Sequence, residues 1–174
     1  MKILAVLLSI ISAITLSLHA QVSPIRMTID QVSKAEPKPK TDPKAKPSSE
    51  KTQTRTLNIR LDNNSAESFD GLQVQYWFFG RDMKSRDVTV IKTGERKSTL
   101  APRGKEVVES ESVTSSYVEE HYEKKGRGKP TKVPASGAKI MGYGVKVTKD
   151  GKVLAEYYSE PSYKERANAT ATAK

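Results

Sequence analysis

The side chains that could carry chemistry in this chain are few, and their spacing argues against catalysis. It has two histidines, His19 and His121. His19 lies in an N-terminal stretch read below as a leader, which leaves His121 among Glu119, Glu120 and Glu123. A histidine–carboxylate metal centre needs a second cluster of strong ligands, and the sequence offers none. Serines are plentiful, but no Gly-x-Ser-x-Gly elbow presents one, and a single histidine in a polar segment is a poor general base. The chain has no cysteine, which removes disulfides, thiolate metal sites, thiol catalysis and the lipidated cysteine of a bacterial lipoprotein. Asp62, Asn64, Glu67 and Asp70 imitate a calcium loop. Ala66 stands where a ligand belongs, however, and Glu67 replaces the glycine of the sharp turn, so a strand-ending turn is expected instead. Gly142-Tyr143-Gly144 lacks the third glycine and the following helix of a phosphate cradle. Such strand glycines mark a bulge or a ring lying over the backbone, and Trp77 is the expected ring. These residues predict a non-enzymatic protein without cofactor or metal site.

Location narrows the partners. Met1 and Lys2 lead into Ile3-Leu4-Ala5-Val6-Leu7-Leu8, the apolar character continues to Leu18, and Ala20 is a small residue suited to signal peptidase. Residues 1–20 are therefore expected to be a cleaved signal peptide, with a periplasmic or extracellular protein beginning at Gln21. No later segment has the ~20 apolar residues of a membrane-spanning helix. Lysine and arginine total 30 against 20 aspartate and glutamate, a formal charge of +10, and loss of Lys2 with the leader leaves about +9. A surface of that charge attracts polyanions. Outside the cytoplasm these are acidic glycans, wall polymers and lipid headgroups, and nucleic acid is not expected.

Two groups of residues are candidates for such contacts. Lys124, Lys125, Arg127, Lys129 and Lys132 fall in a basic stretch from Glu123 to Pro134 that lacks the apolar residues to pack, and they form the expected polyanion surface. Within it, Lys125-Gly126-Arg127-Gly128-Lys129-Pro130 resembles an AT-hook over six residues. Lys129 stands where that peptide's second arginine belongs, which weakens minor-groove insertion and favours an exposed basic loop. The second group is aromatic. Trp77, Phe79, Tyr143 and Tyr158 could line a platform for a glycan or a peptide, although aromatic residues in strands commonly serve as core and cross-strand pairs. Asn63-Asn64-Ser65 and Asn168-Ala169-Thr170 have the form of glycosylation acceptors, read here as chance occurrences in polar segments.

The elements that must position these residues read as strands. Ile25, Met27 and Ile29 alternate with polar neighbours in an N-terminal strand assigned to residues 21–32. Residues 33–53 form a Lys/Pro-rich segment in which Pro37, Pro39, Pro43 and Pro47 remove ladder donors, and it is expected to be disordered. Leu57, Ile59 and Leu61 define a strand ending at Asp62-Asn63-Asn64-Ser65. In the run from Gly71 to Gly80, Leu72, Val74, Tyr76 and Phe78 share one face. Gln73, Gln75, Trp77 and Phe79 share the other, which turns from polar to aromatic halfway and implies cover over its far end. Asp87 to Ile91 is a short strand, and Glu106 to Val118 an edge strand carrying charges. Tyr117 to Lys125 could make two turns of helix. Ile140–Val147 and Lys152–Tyr158 form a hairpin closed by Asp150-Gly151 in a type I′ turn. Residues 166–174 are a polar, flexible tail.

Together these runs predict an all-β domain over residues 54–165, a single antiparallel β-sandwich of about seven strands. Its core should hold Leu57, Ile59, Leu61, Leu72, Val74, Tyr76, Phe78, Val145 and Val147. The strand from Leu57 to Leu61, the aromatic strand from Leu72 to Phe79, the Leu100-Ala101-Pro102-Arg103-Gly104 turn and the Asp150-Gly151 hairpin resemble, in their order, exported immunoglobulin-like and fibronectin-III-like sandwiches. That resemblance lacks the Cys–Trp–Cys spacing of antibody domains and implies architecture alone. The function expected is an exported binding domain for an envelope component or an anionic polymer. A structural or assembly subunit of an envelope complex is the alternative, and an enzyme of unknown type the lesser one.

Overall fold

A computed structural model describes residues 23–34, 50–124 and 128–172. The expected signal peptide, residues 35–49 of the Lys/Pro-rich segment, and Lys125 and Arg127 lie outside the described residues. Among the described residues ten strands form: β1 (Ile25–Lys34), β2 (Glu50–Asn63), β3 (Phe69–Asp82), β4 (Val88–Leu100), β5 (Lys105–Glu109), β6 (Val113–Val118), β7 (His121–Glu123), β8 (Thr131–Val133), β9 (Ser136–Lys149) and β10 (Lys152–Tyr158). One helix, α1 (Tyr163–Thr172), follows.

The fold is an antiparallel β-sandwich. In one layer β2 pairs with β1 along one side and with β5 and then β6 along the other. In the second layer β9 pairs with β10 and β3, and β3 with β4. The layers join where β9 begins, because Gly137 and Ser136 pair with Tyr117 and Val118 of β6 before the strand crosses over to β3. Gly137 has φ 78°, and a Cβ there would sit 2.3 Å from the Ser116 carbonyl oxygen, so the crossing needs glycine.

Alternation decides what fills the space between the layers. Leu57, Ile59 and Leu61 of β2 meet Leu72, Val74, Tyr76 and Phe78 of β3 and Val145 and Val147 of β9, and all nine are fully buried. The type I′ turn is present, with φ of 50° at Asp150 and 77° at Gly151. At the opposite end Asn63 is buried and ties two turns together: its side-chain amide donates to the carbonyl oxygens of Glu67 (2.7 Å) and Ala101 (2.8 Å). The oxygen-rich segment is thus a turn closing β2, and the Asn63 amide is committed inside the protein.

Several elements differ from the sequence reading. The segment 33–53 is shorter than read, because β1 continues to Lys34, opposite Thr54, and β2 already starts at Glu50, opposite Val118. The strand read over Asp87–Ile91 runs on to Leu100, since the ladder with β3 carries the polar residues from Lys92 to Lys97 along a sheet edge. Glu106–Val118 divides into β5 and β6. At the break the Ser110 N–H donates to the Leu57 carbonyl, and the Leu57 N–H donates to Ser110 Oγ, each at 2.9 Å. The helix read over Tyr117–Lys125 is absent from the described residues up to Lys124: β7 pairs with β8 in a small hairpin instead. The chain after Tyr163, read as a flexible tail from Arg166, is helical to Thr172.

The aromatic outer face of β3 explains that helix. Trp77 and Phe79 are buried against Tyr163 and Ala167 of α1, with Tyr158, Val88 and Val90 around them. Phe79 and Tyr163 stack with ring centroids 4.3 Å apart. Arg166 donates to the Val88 carbonyl and Lys164 pairs with Glu156. A ten-residue polar helix is marginal by itself, and this one is held by the patch it covers.

Candidate functional site

The aromatic candidates do not share a surface. Trp77, Phe79 and Tyr158 lie on the outer face of the β3 sheet, where α1 buries the first two. Tyr143 pairs with Phe78 on the opposite face. It lines a recess of about 240 Å³ with Met27, Ile29 and Tyr157 between β1 and β10. The expected platform of Trp77, Phe79, Tyr143 and Tyr158 is therefore corrected: period two puts neighbours of Gly142 and Gly144 on one face and Tyr143 on the other. The ring over Gly144 also differs from expectation. It belongs to Tyr158, and a Cβ at Gly144 would meet it at 2.4 Å.

The basic candidates converge with others that the sequence reading passed over. Lys124 and Lys129 stand at the exposed tip of the β7–β8 hairpin and make no ion pair among the described residues. Lys132 of β8 pairs with Glu120 at 3.0 Å. Beside the base of this hairpin lie the end of β3, with Arg81, and the turn to β4, with Lys84 and Arg86. All three are exposed and lack an ion pair among the described residues. Lys34 and Glu50, which bracket residues 35–49 with Lys38, Lys40, Lys44 and Lys46, close the same end of the sandwich.

Backbone and carboxylate contacts hold the β3–β4 turn. Asp82 accepts the N–H groups of Lys84 (2.8 Å) and Ser85 (2.7 Å). These bonds hold its carboxyl below the usual aspartate value, the Ser85 bond contributing most. The Asp82 carbonyl accepts the Arg86 N–H at 2.9 Å, and Met83 donates to the Gly137 carbonyl at 2.9 Å, fastening the turn to the start of β9. Nearby cations are already matched. Glu119 accepts Lys51 at 2.8 Å and lies 4.0 Å from Lys139, while both lysines flank the Tyr117 ring at 5.9 and 5.4 Å. The free positive charge at this end thus lies on the turn and the hairpin tip, with Lys34 beside them. Its sequence signal was the Arg81-Asp82-Met83-Lys84-Ser85-Arg86-Asp87 run, whose three cations flank a turn.

His121, at the hairpin base, has Nδ1 2.8 Å from the Glu119 carbonyl oxygen and Nε2 3.5 Å from Glu123 Oε1. The carbonyl bond first, and Glu123 after it, favour imidazolium and raise the pKa above the ordinary histidine value. A raised folded pKa gives stability that is full below the unfolded pKa and is lost as pH rises through the folded one. Proton NMR titration should find a higher His121 pKa in the folded protein than in urea. Equal values would refute these contacts.

No protein-family model matches the chain, and no curated protein does. Among solved structures, one from Akkermansia muciniphila is similar over 78% of this chain and 70% of its own, at 19% identity and a TM-score of 0.36. The Northeast Structural Genomics Consortium target SoR45 is similar over 79% of this chain and 88% of its own, at 12% identity and a TM-score of 0.34. Neither is named for an activity.

Proposed function

We propose that this protein is an exported, non-catalytic β-sandwich that binds an anionic polymer or anionic surface of the cell envelope through its basic end. The observation that carries the reading is the distribution of charge. Arg81, Lys84, Arg86, Lys124 and Lys129 gather on the β3–β4 turn and the adjoining hairpin without ion pairs among the described residues, while Lys51, Lys132 and Lys139 beside them are matched by carboxylates. Unmatched exposed cations contribute little to folding and are available for long-range attraction to a polyanion.

Retention on anionic vesicles or an acidic polysaccharide, followed across a salt series, tests this. Binding should be evident at low salt and fall steeply toward physiological salt, as the Debye length shortens to about 8 Å. Replacing Lys124, Lys125, Arg127 and Lys129 together by serine should weaken low-salt binding by roughly tenfold to a hundredfold. Thermal stability should hold to within about 0.5 kcal/mol, as for other exposed loop substitutions. Salt-insensitive retention, or no binding to either material at low salt, would remove the proposal.

A further inference from the structure

We infer that Arg81, Lys84 and Arg86 form a discrete pocket for a terminal phosphate group. The inference deepens the polyanion reading and rests on it for the source of the phosphate.

The turn and the hairpin base enclose a recess of about 470 Å³. Arg81, Lys84 and Arg86 line it from one side, and Glu120, Pro134 and Ala135 from the other. Glu120 is neutralised by Lys132. The Asp82 carboxylate is occupied by two backbone N–H groups. Three cations and two carboxylates therefore line the recess, and both carboxylates are already engaged. A carboxylate-bearing glycan brings one charge and two oxygens per sugar. A terminal phosphate brings a charge of about −1.5 to −2 and three acceptor oxygens, which suits two guanidinium forks and an ammonium.

The side chain of Arg86 supplies the second observation. Arg86 has φ 67°, the left-handed region that glycine adopts freely and a side chain with a Cβ adopts at a cost. The turn itself sets this conformation, because the Arg86 N–H donates to the Asp82 carbonyl and the Asp82 N–H to the Asp87 carbonyl, each at 2.9 Å, while the guanidinium makes no hydrogen bond or ion pair among the described residues. A guanidinium without a partner beside the recess is available to an anion that enters it. Arg103, in the turn between β4 and β5, provides a control. It has φ 56°, yet it lies on the far turn beside Asn63 and Ser65 and does not line the recess.

The experiment compares the protein with Arg86→Gly and Arg103→Gly. Inorganic phosphate and glucose 6-phosphate serve as soluble probes, phosphatidate vesicles as the lipid-borne one, and sulfate, acetate and glucose as controls. Both variants should melt about 2–4 °C higher than the parent, because glycine relieves the backbone. Phosphate and glucose 6-phosphate should shift the amide NMR signals of Lys84, Ser85 and Arg86 ahead of those at the hairpin tip. Arg86→Gly should weaken that binding at least tenfold, and Arg103→Gly should leave it unchanged. Competition by glucose 6-phosphate against phosphatidate vesicles assigns a sugar-borne source, and its failure to compete a lipid-borne one. Parental phosphate affinity in Arg86→Gly, or acetate and sulfate binding as well as phosphate, overturns the pocket. Loss of the pocket with polymer retention intact would sink this inference alone, whereas loss of polymer retention at low salt would sink the broader reading as well.

Discussion

Adding one methyl group at Gly94 should destabilise the protein by about 3 kcal/mol, at the upper end of overpacking penalties, and lower Tm by about 6–12 °C. Gly94 lies on β4 directly opposite Tyr76 of β3. The Tyr76 ring is fully buried and runs across the glycine, so that a Cβ at 94 would sit 2.2 Å from the phenolic oxygen and 2.3 Å from the ring carbon that bears it. The ring has no room to retreat: Phe78 packs edge-on against it at 6.2 Å, and its hydroxyl accepts the Glu111 N–H at 3.0 Å across the sandwich. A double-mutant cycle isolates the cause. In a Tyr76→Val background the Gly94→Ala penalty, read from urea denaturation, should fall below about 1 kcal/mol, because strand glycine has no other role here. An undiminished penalty would show that Gly94 is required for its backbone and not for the ring above it. The same geometry shows why a polar sheet edge stays in register. Lys92 and Arg96 on either side of Gly94 both reach Glu111, at 2.9 and 3.4 Å, and so fasten β4 to the break between β5 and β6.

Phe79→Ala should cost about 3–5 kcal/mol, the usual range for deleting a buried phenylalanine, even though Phe79 lies outside the space between the sheets. Its ring is fully buried under α1 and stacks on Tyr163. Losing it removes contacts to the sheet and to the helix together. Deleting residues 163–174 should be milder in stability but more visible in spectra. Trp77 is the only tryptophan and is 4% exposed. Without α1 its emission should move to longer wavelength, and an apolar patch of Trp77, Phe79, Val88 and Val90 should bind a hydrophobic dye. Unchanged tryptophan emission in the truncated protein would show that the helix is not the cover. Lys146, whose ammonium lies 5.4 Å from the Trp77 ring centre, would remain and cannot by itself exclude water from the patch.

How much of this was legible in the residues differs between core and site. The nine core positions follow from period-two alternation, since a strand with one buried face leaves no freedom over which residues point inward. The Asp150-Gly151 hairpin follows from the rarity of residues that accept positive φ. The aromatic far end of β3 announced a cover, and α1 provides it. The helix itself was hidden because its sequence has no apolar stripe, only Tyr163 and Ala167 one turn apart, and a short helix of that kind forms where a prepared surface receives it. The extension of β4 was hidden for a related reason: an edge strand needs only a ladder partner, and Lys92 to Lys97 carry no pattern that shows one.

The charged site lay further from view. Residue types alone identified an excess of lysine and arginine and a basic stretch at Lys124–Lys132. Which of those charges stay free depends on the carboxylates the fold brings beside them, and these come from distant positions. Glu119 takes Lys51 and Lys139, Glu120 takes Lys132, and Glu111 takes Lys92 and Arg96. The β3–β4 turn joins the hairpin base only because β9 crosses between layers at Gly137, whose carbonyl accepts the Met83 N–H. Local alternation and turn chemistry act over a few residues and can be read in order along the chain. Electrostatic pairing acts through space over a few ångströms, so the tertiary structure alone decided where the positive charge was left uncompensated.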